Sequence, residues 1–246
     1  MDRGISTGVV MGSLRDGYRA AVIGATGAIG GAVANHLAAD PRCAEVRRFG
    51  RRPVAGETPL DVTDEASIAA AAEDVGEIHL LVIATGGLIV GEHRPEKALS
   101  QLNAETLQAQ FALNAVGPAL ALKHFHRSLP RGERSLVGAL SARVGSIGDN
   151  GLGGWYGYRA AKAALNQYMR AASIEIARSR KQAVIAALHP GTVESDLSKP
   201  FRPAGAGDPG IFTPAQSAEA LLHVLDGLSA EQSGGFWAYD GSAIPW

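Results

Sequence analysis

From Tyr18 onward, short apolar runs alternate with longer stretches whose apolar residues recur at helical spacing, the patterns of buried strands and of helices packed on one side. Residues 19–23 read as a buried strand, and residues 28–39 as a helix with Ile29, Val33 and Leu37 on one face. A second strand is expected over 46–49, a short third over 60–62, and a helix over 64–75 with Asp64 as its N-cap. Residues 78–84 make a fourth strand. The pattern then predicts a long helix over 103–129, a strand over 135–140, a helix over 156–178, a strand over 183–188 and a closing strand over 234–239. Alternation this regular predicts an α/β fold: one doubly wound, Rossmann-type domain over 18–246, with a parallel sheet and helices on both faces. Residues 1–17 follow neither period and are expected to form a flexible N-terminal tail. Two stretches, 145–154 and 198–210, interrupt the alternation. Both are rich in Gly, Pro or Asp and follow a strand, so they are expected at the carboxyl edge of the sheet as substrate loops.

Composition narrows the class. The 246 residues are 46% hydrophobic and 19% charged, too apolar for a disordered chain and too mixed for a membrane bundle. No apolar run reaches about 18 residues and the N-terminus lacks the order of a signal peptide, so a cytoplasmic protein with no membrane partner is expected. Lys and Arg total 23 against 24 Asp and Glu, without a long basic run, which argues against nucleic acid as a partner. The single Cys43 excludes an internal disulfide and a cysteine-type zinc cluster, and no metal site is expected. The 31 glycines are nearly double the usual share of about 7% and call for backbone-permissive turns.

One such turn, Gly24-Ala25-Thr26-Gly27-Ala28-Ile29-Gly30, lies between the first strand and the first helix. Residues without Cβ allow a tight turn and close backbone approach, and the helix N-terminus behind them favours an anion such as a dinucleotide pyrophosphate. No Gly-Lys-Ser/Thr follows, which disfavours a nucleoside-triphosphate loop. About 20 residues further on, where an acidic side chain would take the ribose 2′-hydroxyl of NAD, the sequence is Phe49-Gly50-Arg51-Arg52. Two guanidiniums there favour the 2′-phosphate of NADP(H), with NAD second; a pair of solvated surface arginines is the plain alternative. Tyr158 and Lys162 are four residues apart on the helix expected over 156–178, so their side chains share a face, and no other Tyr has such a partner. A neighbouring ammonium lowers a phenol's pKa, which acid-base work near neutral pH requires.

These motifs, with Asp61-Val62, Asn114 in Leu-Asn-Ala-Val-Gly and Pro190-Gly191-Thr192, occur in the order and spacing of the short-chain dehydrogenase/reductase family, which the chain resembles over residues 18–246. Tyr158-Arg-Ala-Ala-Lys162 preceded by Gly145-Ser-Ile-Gly-Asp-Asn150 is most similar to the branch of C-factor and sniffer-type carbonyl reductases. The resemblance implies hydride transfer between NADP(H) and an alcohol or carbonyl. Tyr158 would exchange the proton, Lys162 would lower its pKa and hold the nicotinamide ribose, and Asn114 would anchor a water. It also implies a cofactor site of Gly24, Thr26, Gly27, Ala28, Ile29 and Gly30 at the pyrophosphate, Arg51 and Arg52 at the 2′-phosphate, and Asp61 and Val62 at the adenine. Ala84, Thr85 and Gly86 would follow, then Lys162, Pro190, Gly191 and Val193, the last at the nicotinamide carboxamide.

The chain departs from the family pattern in two places. Ile83-Ala84-Thr85-Gly86 stands where the family has Asn-Asn-Ala-Gly, a change expected to touch stability more than chemistry. Ala142 stands where the branch carries the serine that polarises the substrate carbonyl, with Ser141 one position earlier. Strand alternation turns Ser141 to the other face unless the strand ends there, yet Ser141 is the nominee because a lost oxyanion donor needs a substitute; Ser146 is the fallback. His189 is expected to be a packed or capping residue, not a base. Trp155, with Trp237 and Trp246, is a candidate for the substrate mouth or for plain core and interface. The leading function is an NADP-dependent oxidoreductase. The rival, motivated by Ala142, is a dinucleotide-binding sensor or signalling protein with little turnover. Apolar residues on more than one face of the helices at 103–129 and 156–178 predict a homodimer or homotetramer.

Overall fold

A computed structural model of the chain describes residues 8–195 and 210–246. Among them, seven strands form one parallel sheet in the order β3-β2-β1-β4-β5-β6-β9: β1 Tyr18–Ile23, β2 Cys43–Gly50, β3 Thr58–Pro59, β4 Leu80–Ile83, β5 Ser135–Leu140, β6 Ala183–His189 and β9 Gly235–Ala238. Side chains alternate across it as the pleat demands. Ala20 and Val22 face one core with α1 (Ala28–Ala39) and α6 (Pro214–Gly227), while Ala21 and Ile23 face the other with α2 (Glu65–Glu73), α4 (Gly117–Phe125) and α5 (Tyr156–Ala177). This is the doubly wound arrangement the alternation predicts. The chain order reverses between β1 and β4, so both strands point their carboxyl ends at the crevice where such folds bind ligands.

Several elements differ from expectation for identifiable reasons. The third strand is Thr58–Pro59 and not 60–62; Leu60 N still bonds Gly50 O, but Leu60 and Val62 turn into the core and leave the edge to a proline that needs no ladder donor. The expected long helix at 103–129 is broken into α3 (Ala104–Phe111), a π-helical turn over Ala112–Val116 and α4. Pro118 has no amide hydrogen to continue the ladder, and the widened turn carries Asn114. Helix α6 lies outside the expected elements, although Thr213-Pro214-Ala-Gln216 forms a full capping box with proline in the first turn. A second small sheet pairs β7 (Thr192–Val193) with β8 (Ile211–Phe212). Of the candidate loop 198–210, all but Gly210 lies outside the described residues.

Of the expected tail, residues 1–7 lie outside the described residues, and residues 8–17 are corrected. Val9, Met11 and Leu14 are buried against β1 and α6 residues, Met11 N donates to the buried Asp40 carboxylate (2.9 Å), and Ser13 Oγ donates to Asp226 (2.6 Å). Asp40 also accepts from the Tyr18 hydroxyl at 2.9 Å, whose proton burial holds more tightly. Three apolar side chains in a polar segment were too few to register as a period, yet they close the end of the second core.

Candidate active site

The turn after β1 is built by hydrogen bonds to its neighbour: Gly24 N and Ala25 N both donate to Phe49 O, and Gly27 N returns to Gly24 O. Gly24 adopts φ +88°, and a Cβ on it would stand 2.8 Å from Ala84 O. A Cβ on Gly30 would collide with Gly24 O, so the first turn of α1 can lie this close to β1 only with glycine. Helix α1 begins with no side-chain cap and no acidic residue in its first turn, leaving its amide ends to an anion. These are the properties of a pyrophosphate cradle, and they lie at one end of a cleft of about 550 Å³. Thr26, Gly27, Ala28 and Ile29 line that end; Ala84, Thr85 and Gly86 line its floor; Pro190, Gly191 and Val193 line the far wall.

Tyr158 and Lys162 meet in the middle. Both are buried, with Lys162 Nζ 5.7 Å from the Tyr158 ring centre and donating to Leu140 O at 2.9 Å. Burial pushes the Tyr158 phenol up and the Lys162 ammonium down to about 7, because each charged form loses water. Gly86 brings a third group in, since a Cβ there would be 2.9 Å from Asn114 Oδ1 and 3.1 Å from Lys162 Nζ. Asn114 is fully buried: Oδ1 accepts from Gly87 N (3.0 Å), while Nδ2 donates to Gly87 O (2.9 Å) and Gln110 Oε1 (2.8 Å). Its oxygen retains a second lone pair.

The Ser141 hydroxyl is engaged by another side chain. Strand β5 ends at Leu140, and Ser141 lines the cleft, but its one hydroxyl proton goes to Asn166 Oδ1 at 2.6 Å, one turn of α5 beyond Lys162. Ser146 is not among the cleft-lining residues and accepts from Asp149 N at 3.1 Å, as a loop hydroxyl does. Arg51 and Arg52 stand exposed just past β2, beyond the contact between Gly50 and Thr26. Asp61 accepts from Thr63 N and Oγ1, which holds its carboxyl below the usual range, and Val62 is buried beside it. Trp155 lines the cleft; Trp237 packs on the second core and Trp246 stacks on Phe236.

Three contributors were not singled out from sequence. Glu96 is buried and caps α5 from outside: its carboxylate accepts from Gly157 N at 3.1 Å and its carbonyl from Trp155 N. Trp155, at φ 51°, supplies no side-chain cap of its own. Gln110 orients Asn114 and anchors Leu88 O at 2.9 Å; its four-residue spacing from Asn114 was the available signal. Arg143 lines the cleft and pairs with Asp149 at 3.1 Å. Nothing in the sequence marks Glu96, whose partner is 61 residues away.

The chain matches the family model for short chain dehydrogenase over residues 18–205. It is 31% identical to 1-hydroxy-2-glutathionyl-2-methyl-3-butene dehydrogenase of Rhodococcus sp. (strain AD45), over 77% of this chain and 80% of that one. It is 34% identical to C-signal of Myxococcus xanthus, over 61% of this chain and 84% of that one. Among solved structures, the NADPH-bound carbonyl reductase from chicken fatty liver superposes with a TM-score of 0.79 at 26% identity, over 95% of this chain and all of that one.

Proposed function

Because this chain belongs to the short chain dehydrogenase family, we propose that it is an oxidoreductase moving a hydride between NADP(H) and a small alcohol or carbonyl substrate, with Tyr158 as acid and base. The observation that carries this reading is the single cleft joining an uncapped helix start and its glycine cradle to the Tyr158-Lys162 pair. The bound dinucleotide supplies the hydride. Everything else is the work of this chain's residues. Gly24 to Gly30 would hold the pyrophosphate, Arg51 and Arg52 would meet the 2′-phosphate, Asp61 and Val62 would flank the adenine, and Pro190, Gly191 and Val193 would close the nicotinamide end. Tyr158 hands its proton to the substrate oxygen in the reducing direction and recovers it through Lys162 and a water held by Asn114 Oδ1. The low-dielectric setting of Lys162 makes its charge act strongly on the phenol when it is protonated.

Incubation with NADPH and a panel of aldehydes, ketones and quinones should oxidise the cofactor with at least one of them. Binding of NADPH without oxidation across the panel would overturn the reading in favour of a sensor, which has only Ala142 behind it. We further read the groove between α4 and α5, lined by Leu122, Tyr168 and Ile176, as a self-association face making a homodimer or homotetramer. Among the described residues no helix is long and apolar enough to cross a membrane.

A further inference from the structure

Hydride arrival at a carbonyl carbon pushes the π electrons onto oxygen, and a second hydrogen-bond donor beside Tyr158 stabilises that charge. Ala142 has no hydroxyl, and Ser141 spends its proton on Asn166. Lys162 Nζ bonds Leu140 O, and Arg143 bonds Asp149. Among the described residues, the buried side-chain polar atoms without a partner include two on cleft-lining residues, Thr85 Oγ1 and His189 Nδ1. The Thr85 side chain belongs to the cradle, its methyl 3.1 Å from where a Gly24 Cβ would stand. His189 lies at the other end. It ends β6 next to the β5 terminus: Leu140 pairs with Leu188, and Ser141 N donates to Leu188 O at 2.7 Å, so His189 flanks the Ser141-Ala142 step. Its ring rests edge-on against Tyr239, 6.3 Å between centres.

We infer that His189 is the second catalytic donor: its neutral imidazole gives an Nδ1–H hydrogen bond to the substrate oxygen, in the role left open by Ala142. The inference rests on the oxidoreductase reading above. The imidazole keeps its proton throughout, while Tyr158 transfers the proton that completes the alcohol. Burial, with the nearby Arg143 charge, pushes the imidazole down to about 4, so it is uncharged at neutral pH, the form that polarises a carbonyl without acting as an acid.

The test uses the full chain with NADPH and the best carbonyl of the panel. His189→Phe should lower kcat about 100-fold, with KM and the NADPH affinity measured by fluorescence changed by less than about threefold. His189→Gln, whose amide restores a donor, should recover at least about a tenth of the wild-type kcat. Adding Ala142→Ser should restore turnover to His189→Phe while adding little to the unmodified protein, and an equal gain in both would overturn the role of His189. Retention of kcat within about threefold in His189→Phe, or no rescue by either change, overturns the role of His189 while leaving the enzyme intact. Absence of turnover in the unmodified protein removes the oxidoreductase reading, and the donor with it.

Discussion

At the scale of single residues, Tyr158 and Lys162 share one buried environment, where among the described residues no acidic side chain lines the cleft and loss of water acts against the charged form of each. Tyr158→Phe should cost at least about 100-fold in turnover while leaving NADPH binding in place; full activity in that variant would remove the assignment. The lowered Lys162 has a consequence for folding. From about pH 7 to its ordinary 10.5 the unfolded chain keeps a proton that the native state has shed, so the buried lysine makes stability rise with pH across that window. Urea unfolding of the cofactor-free protein at the two ends of the window should show a rise of about 3–5 kcal/mol from this group, flattened in Lys162→Met. His189 works in the same sense at lower pH. Its contribution is complete above its ordinary 6.5 and disappears as pH falls through about 4, and His189→Gln should make the protein more tolerant of acid. Arg51→Asp should weaken NADPH by about tenfold or more and NADH little in paired titrations, because only the former has a 2′-phosphate to repel. Equal losses would return Arg51 to the plain surface.

At the scale of elements, the sequence pattern located those whose burial is one-sided and continuous. Strand β5 and the start of α5 fall where periodicity places them because their apolar residues face an uninterrupted core. Elements decided by a single distant partner were not visible in that way. The π-helical turn at Asn114 depends on Gly87 and Gln110, and the Gly157 amide in the first turn of α5 finds its acceptor in Glu96. Glu96→Ala should cost about 1–3 kcal/mol in unfolding free energy, since it strips the Gly157 amide of its acceptor at a buried helix end. The N-terminal segment makes the same point in energetic form. Met11→Ala should destabilise the protein by about 2–5 kcal/mol in denaturant titration, a loss that a flexible tail would not produce.

At the scale of the whole molecule, α4 and α5 leave a groove of about 290 Å³ on the face opposite α1 and α6, edged by the half-exposed Tyr168 and with exposed Ile174 nearby on α5. Light scattering should give a dimer or tetramer, and Tyr168→Glu should shift it to monomer by placing a charge in the seam; a wild-type monomer would end that reading. The sequence by itself determined the parallel doubly wound sheet, the glycine turn and the Tyr158-Lys162 pair, because each is encoded by neighbours along the chain: period, a missing Cβ, and a shared helix face. Only the tertiary structure decided which hydroxyl is free and which imidazole is not satisfied. The Ser141 proton is claimed by Asn166 on α5 and the His189 nitrogen is left without a partner at the end of β6, and hydrogen-bond competition between strands and helices far apart in sequence leaves no local trace in the chain.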